Sequence, residues 1–187
     1  FAIVALLAVF IPVSDIAVNT VNWLLSHVVK PSFLAKLELK EGIPEELSTM
    51  VVIPALLPDE KRAVELIKNL EVYYLANKEK NLYFALVGDY KDSEKENMPN
   101  DKKIVDAALA EVARLNKKYS GGKEDIFYFF HRHRQYNDRQ NKWIGWERKR
   151  GALVEFNSMI LGSKETSFSI MSKDVDKLPK IKYIITL

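Results

Sequence analysis

Thr49-Met50-Val51-Val52-Ile53-Pro54 is a short, apolar, β-branched run, the composition of a buried strand. Pro58-Asp59-Glu60 follows and opens a helix. Proline is tolerated in a first helical turn, and carboxylates suit the positive end of the helix dipole. Val64, Ile67, Leu70, Val72, Tyr74 and Leu75 continue that helix to about Asn77. Leu82-Tyr83-Phe84-Ala85-Leu86-Val87 is a second strand, leading into Gly88-Asp89-Tyr90-Lys91-Asp92.

The same alternation continues downstream. After a polar loop from Glu94 to Asp101, Asn100 stands where a helix N-cap is expected, with Ile104, Ala108, Val112 and Leu115 at helical spacing. Gly121-Gly122 stops that helix. Asp125 to His131 reads as a third strand, Gly151 to Leu161 as a helix and Ser167 to Met171 as a short strand. A turn over Val175 to Leu178 then leads to a last buried strand, Ile181 to Leu187. Strands alternating with helices of this length predict an α/β fold, with a mostly parallel sheet covered by helices on both faces.

Upstream, Phe1 to Val13 is apolar throughout. By itself it is shorter than the about 20 residues a bilayer requires. It has no basic n-region, so a signal peptide is a poor reading. A transmembrane helix that begins outside this sequence fits better. Asp15 to Lys30 has helical periodicity, with Ala17, Val18, Val21, Leu24, Leu25, Val28 and Val29 on one face. Ser14 or Asp15 is the expected cap, Pro31 the expected end, and Trp23 lies near the polar side. Residues 1–30 are therefore expected to be a membrane-associated helical leader, 31–48 a linker and 49–187 the α/β body. The alternative for the amphipathic stretch is a helix packed on the domain core, and His27 is read as a surface residue.

Composition narrows the function classes. The chain has 187 residues, a net charge of +3 and no cysteine. That charge is too small to imply nucleic acid, and thiolate metal sites and disulfides are excluded. His131 and His133 are too few for a zinc site. The aromatics Phe127 to Phe130 read as core strand, so the basic residues beside them do not make a nucleic-acid platform.

In open α/β sheets, ligands bind beyond the carboxyl ends of the strands. Three features fall there: Pro54-Ala55-Leu56-Leu57, Asp89 with Asp92, and the basic segment running from Arg132 and Arg134 to Arg148, Lys149 and Arg150. A strand-end carboxylate can accept hydrogen bonds from a uracil N–H or ribose hydroxyls, or it can simply cap a loop. A cationic cluster before a helix N-terminus can hold a diphosphate, with Gly151 letting the backbone come close, or it can be a solvated charge run. Trp143 and Trp146 suit either sugar stacking or loop packing.

From about residue 31 to the end, the chain resembles the glycosyltransferase domain of cyclic β-1,2-glucan synthases. The likeness is carried by Gly42-Ile43-Pro44, Thr49–Pro54, Leu70-Glu71-Val72-Tyr73-Tyr74-Leu75-Ala76-Asn77, Phe84-Ala85-Leu86 with Asp89, Phe130-His131-Arg132, Gly145-Trp146-Glu147-Arg148-Lys149-Arg150-Gly151 and Tyr183-Ile184-Ile185-Thr186-Leu187. The apolar leader also suits that family, whose transferase domain is flanked by transmembrane helices. The resemblance implies a GT-A, Rossmann-like nucleotide-sugar transferase fold at the cytoplasmic membrane, facing the cytoplasm. It implies UDP-glucose as donor and a β-1,2-glucan as acceptor, alongside the further domains of a full-length synthase. Lys149-Arg150-Gly151-Ala152-Leu153 matches a Lys-x-Gly-x-Leu segment that contacts the sugar nucleotide, and Asp89 sits where such enzymes contact uracil.

The implied donor-binding residues are Pro54, Ala55, Leu56, Asp89, Arg148, Lys149 and Gly151. The implied reaction is attack of a glucan 2-hydroxyl on C1 of the donor glucose, with a carboxylate base and a Mg²⁺- or Mn²⁺-bound diphosphate leaving. The family's metal-binding Asp-x-Asp and its base are expected beyond Leu187. No catalytic or metal residue is therefore named in this chain, and the 187 residues alone are expected to be inactive. The rival expectation is a non-catalytic, membrane-anchored α/β module that binds nucleotide or partners.

Overall fold

The computed structural model describes residues 1–29, 39, 41–122 and 124–187. The chain divides into two units, Phe1–Glu38 and Leu39–Leu187. In the first, helix α1 (Ala2–Val28) is continuous over 27 residues and contains Pro12. The helix start expected at Ser14 or Asp15 is not there: both are interior residues rather than caps. Ser14 Oγ instead donates back to the Ile11 carbonyl. A proline inside a helix removes one helical N–H, yet prolines are more frequent in transmembrane helices than in soluble ones. The helix is long and apolar enough to cross a membrane, by length and composition. Pro31 and half of the expected linker, residues 31–38 and 40, lie outside the described residues.

The second unit is an α/β body. Its elements are β1 (Thr49–Leu57), α2 (Glu60–Ala76), β2 (Leu82–Tyr90), α3 (Asp101–Tyr119), β3 (Phe127–Arg132), β4 (Gln135–Asn137), β5 (Lys142–Ile144), α4 (Arg148–Ile160), β6 (Phe168–Met171) and β7 (Tyr183–Thr186). The main sheet has the order β6-β3-β2-β1-β7. Its pairs are parallel except for β6 on β3. From β1 the chain steps outward to β2 and β3, then returns to the other side of β1 as β7. The strand order reverses there, the arrangement that opens a crevice at the strand carboxyl ends.

Alternation along each strand sorts the core into two layers. Val51, Leu57, Phe84, Leu86, Phe127 and Phe129 face α2 and α3. Met50, Val52, Ala85, Val87, Tyr128 and Phe130 face Ala152, Phe156 and Met159 of α4. Helices thus cover both faces, as the alternation predicts. Asp59 caps α2, accepting from the Arg62 N–H. Asn100 stands at the start of α3 but makes no side-chain cap bond. Asp101 accepts from the Met98 N–H instead, because its carboxylate is held by the buried guanidinium of Arg134. Arg134 also donates to the Lys91 and Glu96 carbonyls, fastening the polar loop before α3.

The last strand departs from expectation. Its burial is slight, with Tyr183 and Ile185 about half exposed. β7 is an edge of the sheet, and α2 and α3 centre on β1, β2 and β3. Trp143 also belongs to regular structure rather than to a long loop. It lies in the β4–β5 hairpin, where its ring packs on Tyr136 at 5.5 Å between centroids, and its backbone bridges Ser93.

His131 is fully buried on the α2/α3 face, 3.9 Å from the Tyr90 ring. Among the described residues neither ring nitrogen has a hydrogen-bond partner, and burial holds its pKa down at about 3. The unfolded chain takes up this proton near pH 6.5, whereas the folded chain does not until about pH 3. The contribution to stability is therefore full above the unfolded value and is lost as pH falls from 6.5 toward 3. Between pH 7 and 5 the loss is about 2 kcal/mol. Denaturant unfolding at both pH values should show His131→Leu losing about that much less than the wild type. Equal losses would contradict a neutral buried imidazole.

Candidate functional site

The carboxyl ends of β1 and β2 meet the N-terminus of α4 in a pocket. It is lined by Pro54, Ala55, Leu56, Asp89, Asp92, Gly145, Arg148 and Lys149, with Tyr90 beside them. Six of the seven residues singled out in the sequence line it together. β1 and β2 both extend about three residues past their apolar runs, so Leu56 and Asp89 are paired strand residues rather than loop residues. In the next strand Asp89 pairs with Arg132. Leu56, Asp89 and Arg132 thus form one cross-strand row on the α4 side of the sheet. Leu57 points the other way, into the core.

Gly151, the seventh residue, is not part of the lining. α4 begins at Arg148 rather than at Gly151, so the glycine sits inside the helix and is buried. A Cβ there would collide with the Trp146 carbonyl and come within 2.9 Å of the indole Cε3. Its lack of a side chain serves the packing of Trp146 on α4, not approach to a ligand. Gly145 is the glycine that approaches the pocket chemistry: a Cβ on it would lie 2.8 Å from the Asp89 carboxylate carbon.

The basic segment is split in the same way. Arg150 is exposed and pairs with Glu147, His133 is exposed, and Arg134 is buried against Asp101. Only Arg148 and Lys149 reach the pocket. Arg148 meets Asp92 at 2.7 Å, and Lys149 Nζ donates to the Leu187 carbonyl at 3.3 Å. Both cations stand in the first turn of α4, where the helix dipole adds to their field.

Arg132 is the residue that the sequence reading undervalued. Its side chain is 1% exposed. Nε and Nη2 donate to the two Asp89 oxygens at 2.7 and 2.6 Å. Nη1 donates to the Trp146 carbonyl at 3.1 Å and to Glu155 at 3.3 Å, and Nη2 to the Arg148 carbonyl at 3.2 Å. Burial opposes the guanidinium charge, yet Asp89 and then Glu155 raise its pKa above the ordinary value. Glu155 is anchored from its other side by Ser167 and Thr166. Burial pushes the Glu155 pKa up, but the hydrogen bonds from Ser167, Thr166 and Arg132 bring it below the usual carboxylate range.

The signal for Arg132 was present in Phe127-Tyr128-Phe129-Phe130-His131-Arg132, where alternation puts Arg132 on the face of Tyr128 and Phe130. What the sequence lacked was the register that sets it beside Asp89.

No family model matches the chain. Over 186 residues, 99% of its length, it is 38% identical to cyclic beta-(1,2)-glucan synthase NdvB of Rhizobium meliloti (strain 1021). The chain is similar to a segment of a cyclic beta-(1,2)-glucan synthase. It spans 6% of the length of that protein. The likeness to the synthase covers α1 as well as the α/β body, so it reaches further than the segments quoted from the sequence.

Asp89 faces Arg132 and Asp92 faces Arg148. Among the described residues no three His, Asp or Glu side chains group as metal ligands.

Proposed function

We propose that this chain is the donor-nucleotide-binding part of a membrane-associated glucosyltransferase domain with a GT-A fold, acting in β-1,2-glucan synthesis with UDP-glucose as donor. One observation carries the reading. A chain similar to a glucan synthase segment gathers a carboxylate, an apolar wall and two cations at a helix N-terminus, all in one pocket at the carboxyl edge of a parallel sheet.

Each wall has a chemical task. Pro54, Ala55 and Leu56 offer an apolar surface to a base. Asp89 accepts from the uracil N3–H. Its two oxygens offer about four lone-pair directions, so the bonds from Arg132 leave capacity for a ligand. Arg148 and Lys149 neutralise the diphosphate as it is taken out of water. Helix α1 would hold the domain at the cytoplasmic membrane, and the acceptor would be the growing glucan.

Titration calorimetry of the full chain with UDP tests the reading. CDP should bind at least about tenfold more weakly, because cytosine N3 carries no proton for Asp89 to accept. Lys149→Met should weaken UDP about tenfold or more, the range for one hydrogen bond to a charged group. Equal affinity for UDP and CDP, with no effect of Lys149→Met, would place the nucleotide elsewhere.

A further inference from the structure

We infer that Arg132, which lines no part of the pocket, is the positioning residue that couples its carboxylate wall to its cationic wall. The inference rests on the donor-site reading above. One guanidinium holds both oxygens of Asp89 on β2 and the two carbonyls, of Trp146 and Arg148, that flank Glu147. Glu147 and Arg148 have φ of 46° and 47°. Non-glycine residues occupy that left-handed region where their surroundings hold them there. The strained turn is what launches α4 with Arg148 and Lys149 facing the pocket. Asp89 fixes the guanidinium, the guanidinium fixes the turn, and the turn aims the cations.

This chain of contacts makes a prediction opposite in sign to that of charge alone. Asp89 is a negative group beside an anion site. Neutralising it should strengthen the binding of a bare anion by removing repulsion. Positioning requires the reverse: Asp89→Asn frees Arg132, the turn relaxes, and the cations lose their aim. Inorganic pyrophosphate is the decisive probe, because it has no base or ribose for Asp89 to touch.

The experiment is calorimetry of the full chain with pyrophosphate and, in parallel, with UDP. The variants are Asp89→Asn and Arg132→Lys, each alone and combined with Glu147→Gly or Glu147→Gln. Arg132→Lys keeps the charge but cannot span a carboxylate and two carbonyls, so it serves where Asp89→Asn disturbs folding. Each single variant should weaken pyrophosphate about tenfold. Glu147→Gly should restore most of that loss, because glycine adopts the left-handed conformation without support. Glu147→Gln removes the same charge but not the strain, and should restore little. A merely structural role would not separate glycine from glutamine.

Asp89→Asn or Arg132→Lys binding pyrophosphate as tightly as the wild type overturns the inference, as does equal rescue by glycine and glutamine. In both cases wild-type UDP binding leaves the donor-site reading standing. A wild-type chain that binds neither UDP nor pyrophosphate overturns both.

Discussion

Arg132→Ala should lower the stability of the α/β body by about 3–5 kcal/mol, the cost of leaving a buried charge without its partner. The substitution strands more than Asp89. The Trp146 and Arg148 carbonyls lose their donor, and Glu155 loses one of its four. A companion variant separates pairing from bulk. Asp89→Leu combined with Arg132→Met replaces the pair with apolar side chains of similar size. Because the desolvation cost of a buried ion pair offsets most of its attraction, the double variant should recover much of the loss. Denaturant unfolding measures both. A loss under about 1 kcal/mol for Arg132→Ala would mean that the guanidinium is not the keystone of this corner.

Gly151→Ala is the second large effect, and here two forces oppose each other. Gly151 lies inside α4 without a positive φ, so alanine should stabilise the helix by about 1 kcal/mol. Against this, the new methyl meets the Trp146 carbonyl, which is main chain and cannot swing aside. Forcing an extra carbon into a packed site costs about 1–3 kcal/mol and sometimes more. The Trp146 carbonyl is also an acceptor for Arg132, so moving it breaks a buried hydrogen bond, worth about 1.5–3 kcal/mol when the donor is charged. The steric and hydrogen-bond losses exceed the helix gain. Gly151→Ala should therefore destabilise by about 2 kcal/mol or more. A raised melting temperature would show that the Trp146 turn moves freely.

The first two strands and the helix between them were legible because their side chains obey simple periods. Val51, Val52 and Ile53 are β-branched and bounded by turn residues. Val64, Ile67 and Leu70 repeat at helical spacing. Asp59 has the chemistry of a cap and acts as one. Where local chemistry and final structure diverge, a tertiary contact is responsible. Asn100 looks like the cap of α3 but makes no cap bond, and the neighbouring Asp101 carboxylate is taken by Arg134 and the Met98 N–H of the preceding loop.

The start of α4 was misplaced by three residues because no cap residue marks it. Two left-handed non-glycine residues do, Glu147 and Arg148, and they leave no trace in composition. The cap expected at Ser14 or Asp15 marks a helix start that α1 simply passes through. The apolar run before it has no polar face to reveal a period.

Within the site, Pro54, Ala55, Leu56, Asp89 and Asp92 were named from position on strand ends and do line one pocket, since the carboxyl edge of a parallel sheet is a place that sequence order fixes. The division of labour among the arginines was not legible. Arg132, Arg134, Arg148 and Arg150 look alike in sequence. Burial and register send the first two into ion pairs, the third to the pocket and the fourth to the surface.

The most direct test of the donor site is an experimental structure of the full chain, in detergent, with UDP bound. The uracil should lie against Pro54 to Leu56 with its N3–H on Asp89, and the diphosphate should lie at Arg148 and Lys149, with Asp92 displaced from Arg148. UDP bound away from the carboxyl ends of β1 and β2, or bound there with its phosphates remote from both cations, would contradict this account.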